Sequence, residues 1–419
     1  MRILRILVFL LPTQLAYHFW PRWTYIFGIR VDYFAPAIYL TDILVLVFVI
    51  ASFSKNREIL IQVLSRGKIY VVLIAFFSLS NIIASIEPLL AFFKWMKILE
   101  FTFFAMAISI SKFDFKKDIS RPLTFSVLLI SLIGILQFFK GGSIGGIFYF
   151  LGERTFNQSM PGIALSQIFG REHLRPYSIF SHPNSFAGYL IVSLVLLLGH
   201  KVKKKKDRAL ILITFGISVI PFIFIYSLGS FLAILVLIFL ALLLVGNKAN
   251  KTAPILFLFG CIGISLLMAI YSNEILNFHF ASTSISERLW LNTAAGVAFA
   301  SSPTLGVGLN NFILAMTKME AQSVVVWKLQ PVHNIFLLII SETGLFGLLL
   351  FSQLLYKSIT HAINNKLVLL SAMFAIILTG MFDHYWLTLQ QNQLLLAFVV
   401  GLTFNTRSFG SELTVNRGR

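Results

Sequence analysis

The chain has 419 residues, of which 58% are hydrophobic and only 12% are charged, and its mean hydropathy is +0.86. Ordinary soluble domains carry about 25% charged residues, so this composition excludes a soluble enzyme. The net charge of +18 would suggest nucleic acid in a soluble protein, but loops of membrane proteins also collect Lys and Arg. The single cysteine, Cys261, excludes a disulfide framework. We therefore expect an all-α, polytopic membrane protein that has no nucleic-acid partner.

Apolar windows predict the membrane spans, because one crossing requires about 20 mostly apolar residues. We expect about twelve transmembrane helices within a single transmembrane domain that covers residues 1–419. The predicted spans are 3–19, 34–52, 69–86, 89–110, 122–140, 183–200, 209–226, 229–246, 253–271, 333–355, 366–382 and 387–404. The first resembles a signal peptide but lacks a small-residue cleavage site, so we expect an uncleaved span.

The basic residues predict the orientation. Placing the run 201–208 in the cytoplasm puts 23 of the 34 Lys and Arg residues in inner segments. By the positive-inside rule, both termini are then cytoplasmic. Two connections, 141–182 and 272–332, are long and face outward. Long ordered loops are usually functional, so we expect these two to form a cap over an active site.

The first outer loop ends in a cluster of polar residues that opens the sixth span. Arg171 and Arg175 precede His182 and Asn184, and Pro183 suits the first turn of a helix. A helix N-terminus offers free N–H groups and a partial positive charge, and arginine binds phosphate with two hydrogen bonds. We therefore predict an anion site here, although the arginines could instead anchor the loop at lipid headgroups.

Two further outer positions carry polar residues. The second loop contains Arg288 and ends in His333 and Asn334, which open the tenth span, and Asp383 and His384 lie between the last two spans. These side chains could line the mouth of a substrate site. The alternative for Asp383 and His384 is an aromatic belt with polar neighbours at the membrane surface.

The fourth span carries charges inside the apolar window. Lys97 and Glu100 are three residues apart, so they share one face of the helix and can neutralise each other. Lys94 lies on the same stripe. Charges within a bilayer are costly unless they pair or face a cavity, so we expect this stripe to border a wet, anion-accepting groove. The alternative for Lys94 is that it reaches the outer headgroups.

At these residues the chain resembles the O-antigen ligase and polymerase superfamily of bacterial membrane glycosyltransferases. One sign is His182–Asn184 at the start of a span, and another is Arg288 followed three residues later by Leu291. The most specific sign is His333, which ten residues separate from Gly344.

The resemblance implies a fold like that of the GT-C glycosyltransferases and a place in the bacterial inner membrane, with the active site on the outer side. Such an enzyme transfers a glycan from an undecaprenyl-diphosphate donor to a glycan or lipid acceptor, with inversion and without a metal or other cofactor. Arg288 and Arg175, with Arg171, would hold the diphosphate, and His333 would orient or deprotonate the acceptor hydroxyl. The expected sugar or supporting contacts are His182, Asn184 and Asn334.

Three alternatives stay open. A transporter or flippase of lipid-linked oligosaccharide also has many spans, but it would need ionisable residues along several of them. A metal-dependent GT-C enzyme would place paired carboxylates in the first outer loop, where Asp32 has no second acid beside it. The sequence does not separate a ligase from a polymerase, because they differ only in the acceptor.

Overall fold

The computed structural model describes residues 1–168, 170–198, 205–225, 283–319, 328–365 and 367–407, with positions 258, 261–263, 265 and 266. This part of the chain is mostly helical. Its helices are α1 (Arg2–Leu10), α2 (Leu40–Lys55), α3 (Arg57–Arg66), α4 (Lys68–Ala84), α5 (Pro88–Ile110), α6 (Arg121–Lys140), α7 (Pro183–Leu198), α8 (Lys205–Ile225), α9 (Thr283–Ser301), α10 (Phe312–Met316), α11 (Ile335–Asn365), α12 (Leu367–Gly380), α13 (Tyr385–Thr388) and α14 (Gln390–Phe404).

Several helices have the length and composition of membrane spans. Within the described residues, three are long and apolar enough to cross a bilayer: Phe115–Lys140, Lys205–Ile225 and Ile335–Ile363. A fourth span is possible if α3 and α4, which meet at an angle of 72°, form one broken crossing. The prediction of a multi-pass helical membrane protein is confirmed in this form. The count of twelve and the GT-C class stay predictions, and the predicted spans 229–246 and, for the most part, 253–271 lie outside the described residues.

The first predicted span, 3–19, is wrong as a single helix. Helix α1 ends at Leu10 and has 9 residues, which is too short for a crossing of about 20. Leu11 keeps right-handed helical dihedrals, but Pro12 has no backbone N–H with which to continue the hydrogen bonds of the helix. The chain then continues into strand β1 (Ala16–His18).

A small cap follows α1 and precedes α2. Strand β1 pairs antiparallel with β4 (Ala37–Tyr39), and β2 (Tyr25–Ile26) pairs with β3 (Ile29–Arg30) between them. Because β4 occupies the start of the predicted second span, α2 begins at Leu40 and not at 34. This shift places Asp42 in the first turn of α2, where it accepts a hydrogen bond from the Tyr39 amide at 2.9 Å.

The predicted outer loops also contain regular structure. Loop 141–182 has a 3-10 helix at Gly146–Leu151 and a hairpin of β5 (Leu165–Ile168) and β6 (Arg171–Leu174). Loop 272–332 contains α9, whose alanines favour a helix. Helix α9 packs against α11.

A break in α11 orders the end of the second loop. Gly344 has φ 63° and ψ −165°, and a Cβ there would lie 2.3 Å from the Thr304 carbonyl oxygen. Such a position requires glycine. The backbone amides of Val307 and Gly308 donate to the carbonyl oxygens of Ser341 and Glu342, at 2.9 and 3.0 Å. The spacing between His333 and Gly344 therefore reflects the length of the first half of α11.

Candidate active site

Four polar residues from three distant parts of the chain meet at one end of the helices. His182 precedes α7, His333 lies just before α11, and Asp383 and His384 connect α12 to α13. Helix α7 packs against α12, and α11 packs against both α12 and α14, so helix packing brings the three segments together. We call these four residues the His–Asp cluster.

Asp383 lies at the centre of the His–Asp cluster and is 6% exposed. Its Oδ1 accepts the backbone amide of His384 at 2.8 Å and lies 3.4 Å from Nδ1 of His333. Its Oδ2 accepts Nδ2 of Asn184 at 2.9 Å. The rings of His333 and His384 lie 5.2 Å apart, centroid to centroid. A carboxylate held in this way can orient the His333 imidazole through Nδ1, which leaves Nε2 for other contacts.

Burial and charge determine the protonation of three members of the cluster. Burial lowers the pKa of His182 to about 4 and the pKa of His384 to about 3, so both imidazoles are neutral at pH 7. Burial by itself raises the pKa of Asp383. The charge and hydrogen bond of His333 lower it, as do the electrostatic interactions with His384 and His182, and together they hold this pKa well below its usual range. Asp383 is therefore ionised at neutral pH.

Nδ1 of His182 and Nδ1 of His384 each have a hydrogen-bonding partner. Nδ1 of His182 accepts the backbone amide of Asn184 at 3.1 Å at the start of α7, and Nδ1 of His384 lies 2.8 Å from the hydroxyl of Thr388. These contacts and the low pKa values make both rings poor bases. The hydrogen-bond contact found for the His333 ring among the described residues is that of Nδ1 with Asp383.

Two of the predicted arginines form hydrogen bonds with residues that adjoin Asp383. Arg175 donates through Nη2 to Oδ1 of Asn184 at 2.7 Å and through Nε to the Ile225 carbonyl at 2.6 Å. Arg288 donates through Nη1 to the carbonyl of Phe382 at 2.9 Å, one residue from Asp383. Each guanidinium has five N–H donors, so both keep donors beyond these contacts.

The remaining predicted loop residues take different positions. Oδ1 of Asn334 accepts the backbone amides of Phe336 and Leu337 at 2.9 and 3.2 Å, so this side chain caps α11. Its Nδ2 donates to the hydroxyl of Ser265 at 2.9 Å. Arg171 is exposed on the β5–β6 hairpin and does not line the cavity beside the cluster.

The His–Asp cluster opens into a cavity of about 1520 Å³. Polar groups line the end at the cluster, including Tyr33, Arg154, Asn310 and Gln330. The other end is an apolar groove between α2 and α5. Its walls are Ile43, Val45, Leu46, Val49, Leu89, Leu90, Phe93, Met96, Leu99 and Phe103.

The charged stripe of α5 lines this cavity as predicted, but its charges are largely paired. Lys97 contacts Glu100 at 3.1 Å, which confirms the predicted pair, and it also contacts the carboxylate of Asp42. Oδ1 of Asp42 accepts Nε2 of Gln390 at 2.5 Å. Nζ of Lys94 donates to the Leu387 carbonyl at 2.7 Å, so it turns toward the cavity wall.

Sequence reasoning missed several residues of this cavity. The predicted span 34–52 would put Asp42 well inside a helix, whereas α2 begins at Leu40 and brings this carboxylate to the cavity. Tyr33 packs edge-on against His384, with ring centroids 5.5 Å apart. Burial raises the pKa of Tyr33, and the charge of Asp383 raises it further, so its phenol stays neutral and can donate. A tyrosine beside Asp32 in a short outer segment gave no distinct signal.

The cluster also contains atoms of the kind that bind metal ions. Within the described residues, ligand atoms of His333, Asp383 and His384 lie within 4.8 Å of one another. Only one of these residues is a carboxylate, and Arg175 and Arg288 add positive charge next to it. Two imidazoles and one carboxylate form a donor set of the kind that binds Zn²⁺, whereas Mg²⁺ and Ca²⁺ prefer several oxygen ligands, so the cluster fits Mg²⁺ and Ca²⁺ poorly and the nearby guanidinium groups oppose binding of any cation.

The fold and the cavity together define a multi-pass membrane protein with an ionisable site beside an apolar groove. The model of the O-antigen ligase family matches residues 213–352, a range that includes Arg288, His333 and Gly344. This match, over about a third of the chain, confirms the resemblance to the O-antigen ligase and polymerase superfamily that the sequence motifs indicate. No curated protein matches the chain.

Proposed function

We propose that the protein is a membrane glycosyltransferase that moves a glycan from undecaprenyl diphosphate to an acceptor hydroxyl, without a metal and with inversion. The observation that carries the proposal is the continuity of the cavity. The His–Asp cluster, with Arg175 and Arg288 behind it, lies at one end, and the apolar groove lies at the other. This arrangement suits a ligand that has an anionic head and a long apolar chain.

His333 is the proposed base. With Nδ1 directed at Asp383, Nε2 can take the proton of the acceptor hydroxyl as the hydroxyl oxygen attacks the anomeric carbon of the sugar. The bond between the anomeric carbon and the phosphate oxygen breaks, and its electron pair leaves with the lipid diphosphate. Attack from the face opposite the leaving group inverts the anomeric centre. The proton then passes from His333 to solvent.

The arginines act on the leaving group. Negative charge grows on the bridging phosphate oxygen as the bond breaks, and Arg288 and Arg175 stabilise it from behind the cluster. The apolar groove between α2 and α5 takes the isoprenoid chain. Lys94 and Lys97 formally balance the carboxylates of Asp42 and Glu100, which leaves little net charge to oppose burial of that chain.

The test is glycan transfer by the purified protein in lipid nanodiscs. A lipid-linked oligosaccharide is supplied alone and then with candidate acceptors, and the release of sugar-free lipid diphosphate is measured. A ladder of longer chains from the donor alone indicates a polymerase, and transfer only to an added acceptor indicates a ligase. We expect His333→Ala to abolish release, whereas His361→Ala, an exposed histidine far along α11, should not.

Movement of the intact donor across the membrane without cleavage would instead support the transporter alternative. Normal transfer by His333→Ala would reject the assigned role of this residue.

A further inference from the structure

Residues 151–154 of the first outer loop are held tightly against the end of α1. The carbonyl of Leu151 accepts the hydroxyl of Thr13 at 2.7 Å, and the carbonyl of Gly152 accepts Nε2 of Gln14 at 3.0 Å. Gly152 has φ 94°, and a Cβ there would lie 2.8 Å from the Gln14 backbone. The main chain that leads to Arg154 is therefore fixed in place.

The neighbouring acid does not neutralise Arg154. Glu153 is 3% exposed, and its Oε1 accepts Nε2 of Gln137 and the amide of Ile144, both at 2.7 Å. Its Oε2 accepts the amide of Gly145, also at 2.7 Å. These contacts direct the carboxylate into the loop and away from the cavity.

Arg154 itself lines the cavity and is exposed. Its Nη1 donates to the Ser181 carbonyl at 3.3 Å, so the guanidinium lies beside the residue that precedes His182. None of the salt bridges between described residues involves Arg154. The cavity lining includes neither Arg175 nor Arg288, whose contacts are with groups behind the cluster.

We propose that Arg154 is the residue that binds the diphosphate of the lipid-linked donor directly, from the cavity side. This inference rests on the proposed function. A guanidinium with one weak contact keeps donors for two phosphate oxygens, and its planar fork can bridge both phosphates. The residue therefore selects a lipid diphosphate over a lipid monophosphate, while Arg175 and Arg288 supply charge from behind Asp383.

The experiment measures the binding of sugar-free undecaprenyl diphosphate and undecaprenyl monophosphate to the full chain in nanodiscs. Arg154→Gln should weaken diphosphate binding by roughly 10- to 100-fold, the loss of a charge-assisted hydrogen-bond pair. Monophosphate binding should fall by a smaller factor, no more than about 10-fold, because a single phosphate loses its contact with the guanidinium but not the second contact that bridges to the other phosphate of the diphosphate. Arg154→Lys, which keeps the charge without the fork, should fall between wild type and Arg154→Gln.

Lys140→Gln is the matched control. Lys140 is an exposed cation at the end of α6, directly before the same loop; its Nζ donates to the Ile144 carbonyl at 3.0 Å, and it does not line the cavity. The Lys140→Gln variant should bind both lipids as wild type does. A melting temperature for each variant, measured without ligand, checks that the loop still folds.

The outcomes separate this inference from the proposed function. If Arg154→Gln binds the diphosphate like wild type, or loses both lipids equally, then Arg154 does not hold the diphosphate, and the inference is overturned even if wild-type transfer is normal. If wild type binds no lipid diphosphate and transfers no glycan, then both fail. A selective loss in Arg154→Gln together with tight binding by the inactive His333→Ala supports the inference.

Discussion

The contact between His333 and Asp383 allows a test of how the proposed base is oriented. If the carboxylate acts only by holding the imidazole, its removal matters only while His333 is present. The relevant variants are His333→Ala, Asp383→Asn and the double variant, compared by single-turnover glycan transfer. Single-turnover rates report the chemical step and not product release.

The geometry sets the expected magnitudes. The distance of 3.4 Å between Nδ1 of His333 and Oδ1 of Asp383 is longer than a usual N–H···O bond, as is common before substrate binds. A hydrogen bond to a charged group contributes about 1.5–3 kcal/mol, so Asp383→Asn should slow transfer by roughly 10- to 100-fold. Loss of a general base removes about 10²- to 10⁴-fold, so His333→Ala should be slower still.

The double variant decides the question. It should be no slower than His333→Ala, because the carboxylate has nothing left to orient. Asp383→Asn also leaves the Nδ2 donor of Asn184 facing an amide, so each variant needs a thermal melt to exclude unfolding. A double variant as slow as the product of the two single effects, or an Asp383→Asn rate within about twofold of wild type, would refute the reasoning.

Three further predictions concern the fold and the protonation of the cluster. Gly344→Ala should lower the melting temperature in detergent strongly, because its Cβ would lie 2.3 Å from the Thr304 carbonyl oxygen; an unchanged melting temperature would contradict the break in α11. The pKa values of His182 (about 4) and His384 (about 3) lie below the ordinary value of 6.5. As the pH drops, the unfolded chain therefore takes up protons at these residues before the folded chain does. The free energy of unfolding should fall as the pH drops from about 6.5 toward 4. His182→Asn and His384→Asn should each flatten a plot of melting temperature against pH, whereas His361→Asn, at an exposed position, should not. Transfer should survive treatment with EDTA, and a loss that added Zn²⁺ or Mg²⁺ restores would instead indicate that the cluster binds a metal.

The residue at which a helix begins was easier to predict than the segments against which the helix packs. The sequence signals at Pro183 and His333 located the beginnings of α7 and α11 to within two residues, because proline and capping residues act locally. The pair of Lys97 and Glu100 was also predictable, since a spacing of three residues fixes neighbours on one helix. Local rules of this kind need no knowledge of the tertiary fold.

Contacts between distant segments were not predictable from the chain alone. Asp42 meets Lys97 only because α2 packs against α5 and begins at Leu40, and the late start comes from the pairing of β1 with β4. Strands as short as three residues leave no periodic pattern. In the sequence, Arg154 is one basic residue among several in its loop. Its position in the cavity lining depends on the buried hydrogen bonds of Glu153, which the sequence does not reveal.

The distribution of charge along the cavity limits what can occupy it. Lys97 was expected to accept an anion, but its ammonium lies between the carboxylates of Asp42 and Glu100. The cationic groups that remain are Lys94, which donates to the Leu387 carbonyl close to His384, and the arginines around the His–Asp cluster, so the attraction for an anion is concentrated at that end. A wholly polar donor such as a nucleotide sugar would leave the apolar groove exposed, and a neutral lipid would leave the arginines without a counter-charge. A molecule that joins an anionic head to an apolar chain, as the proposed donor does, would satisfy both ends of the same cavity.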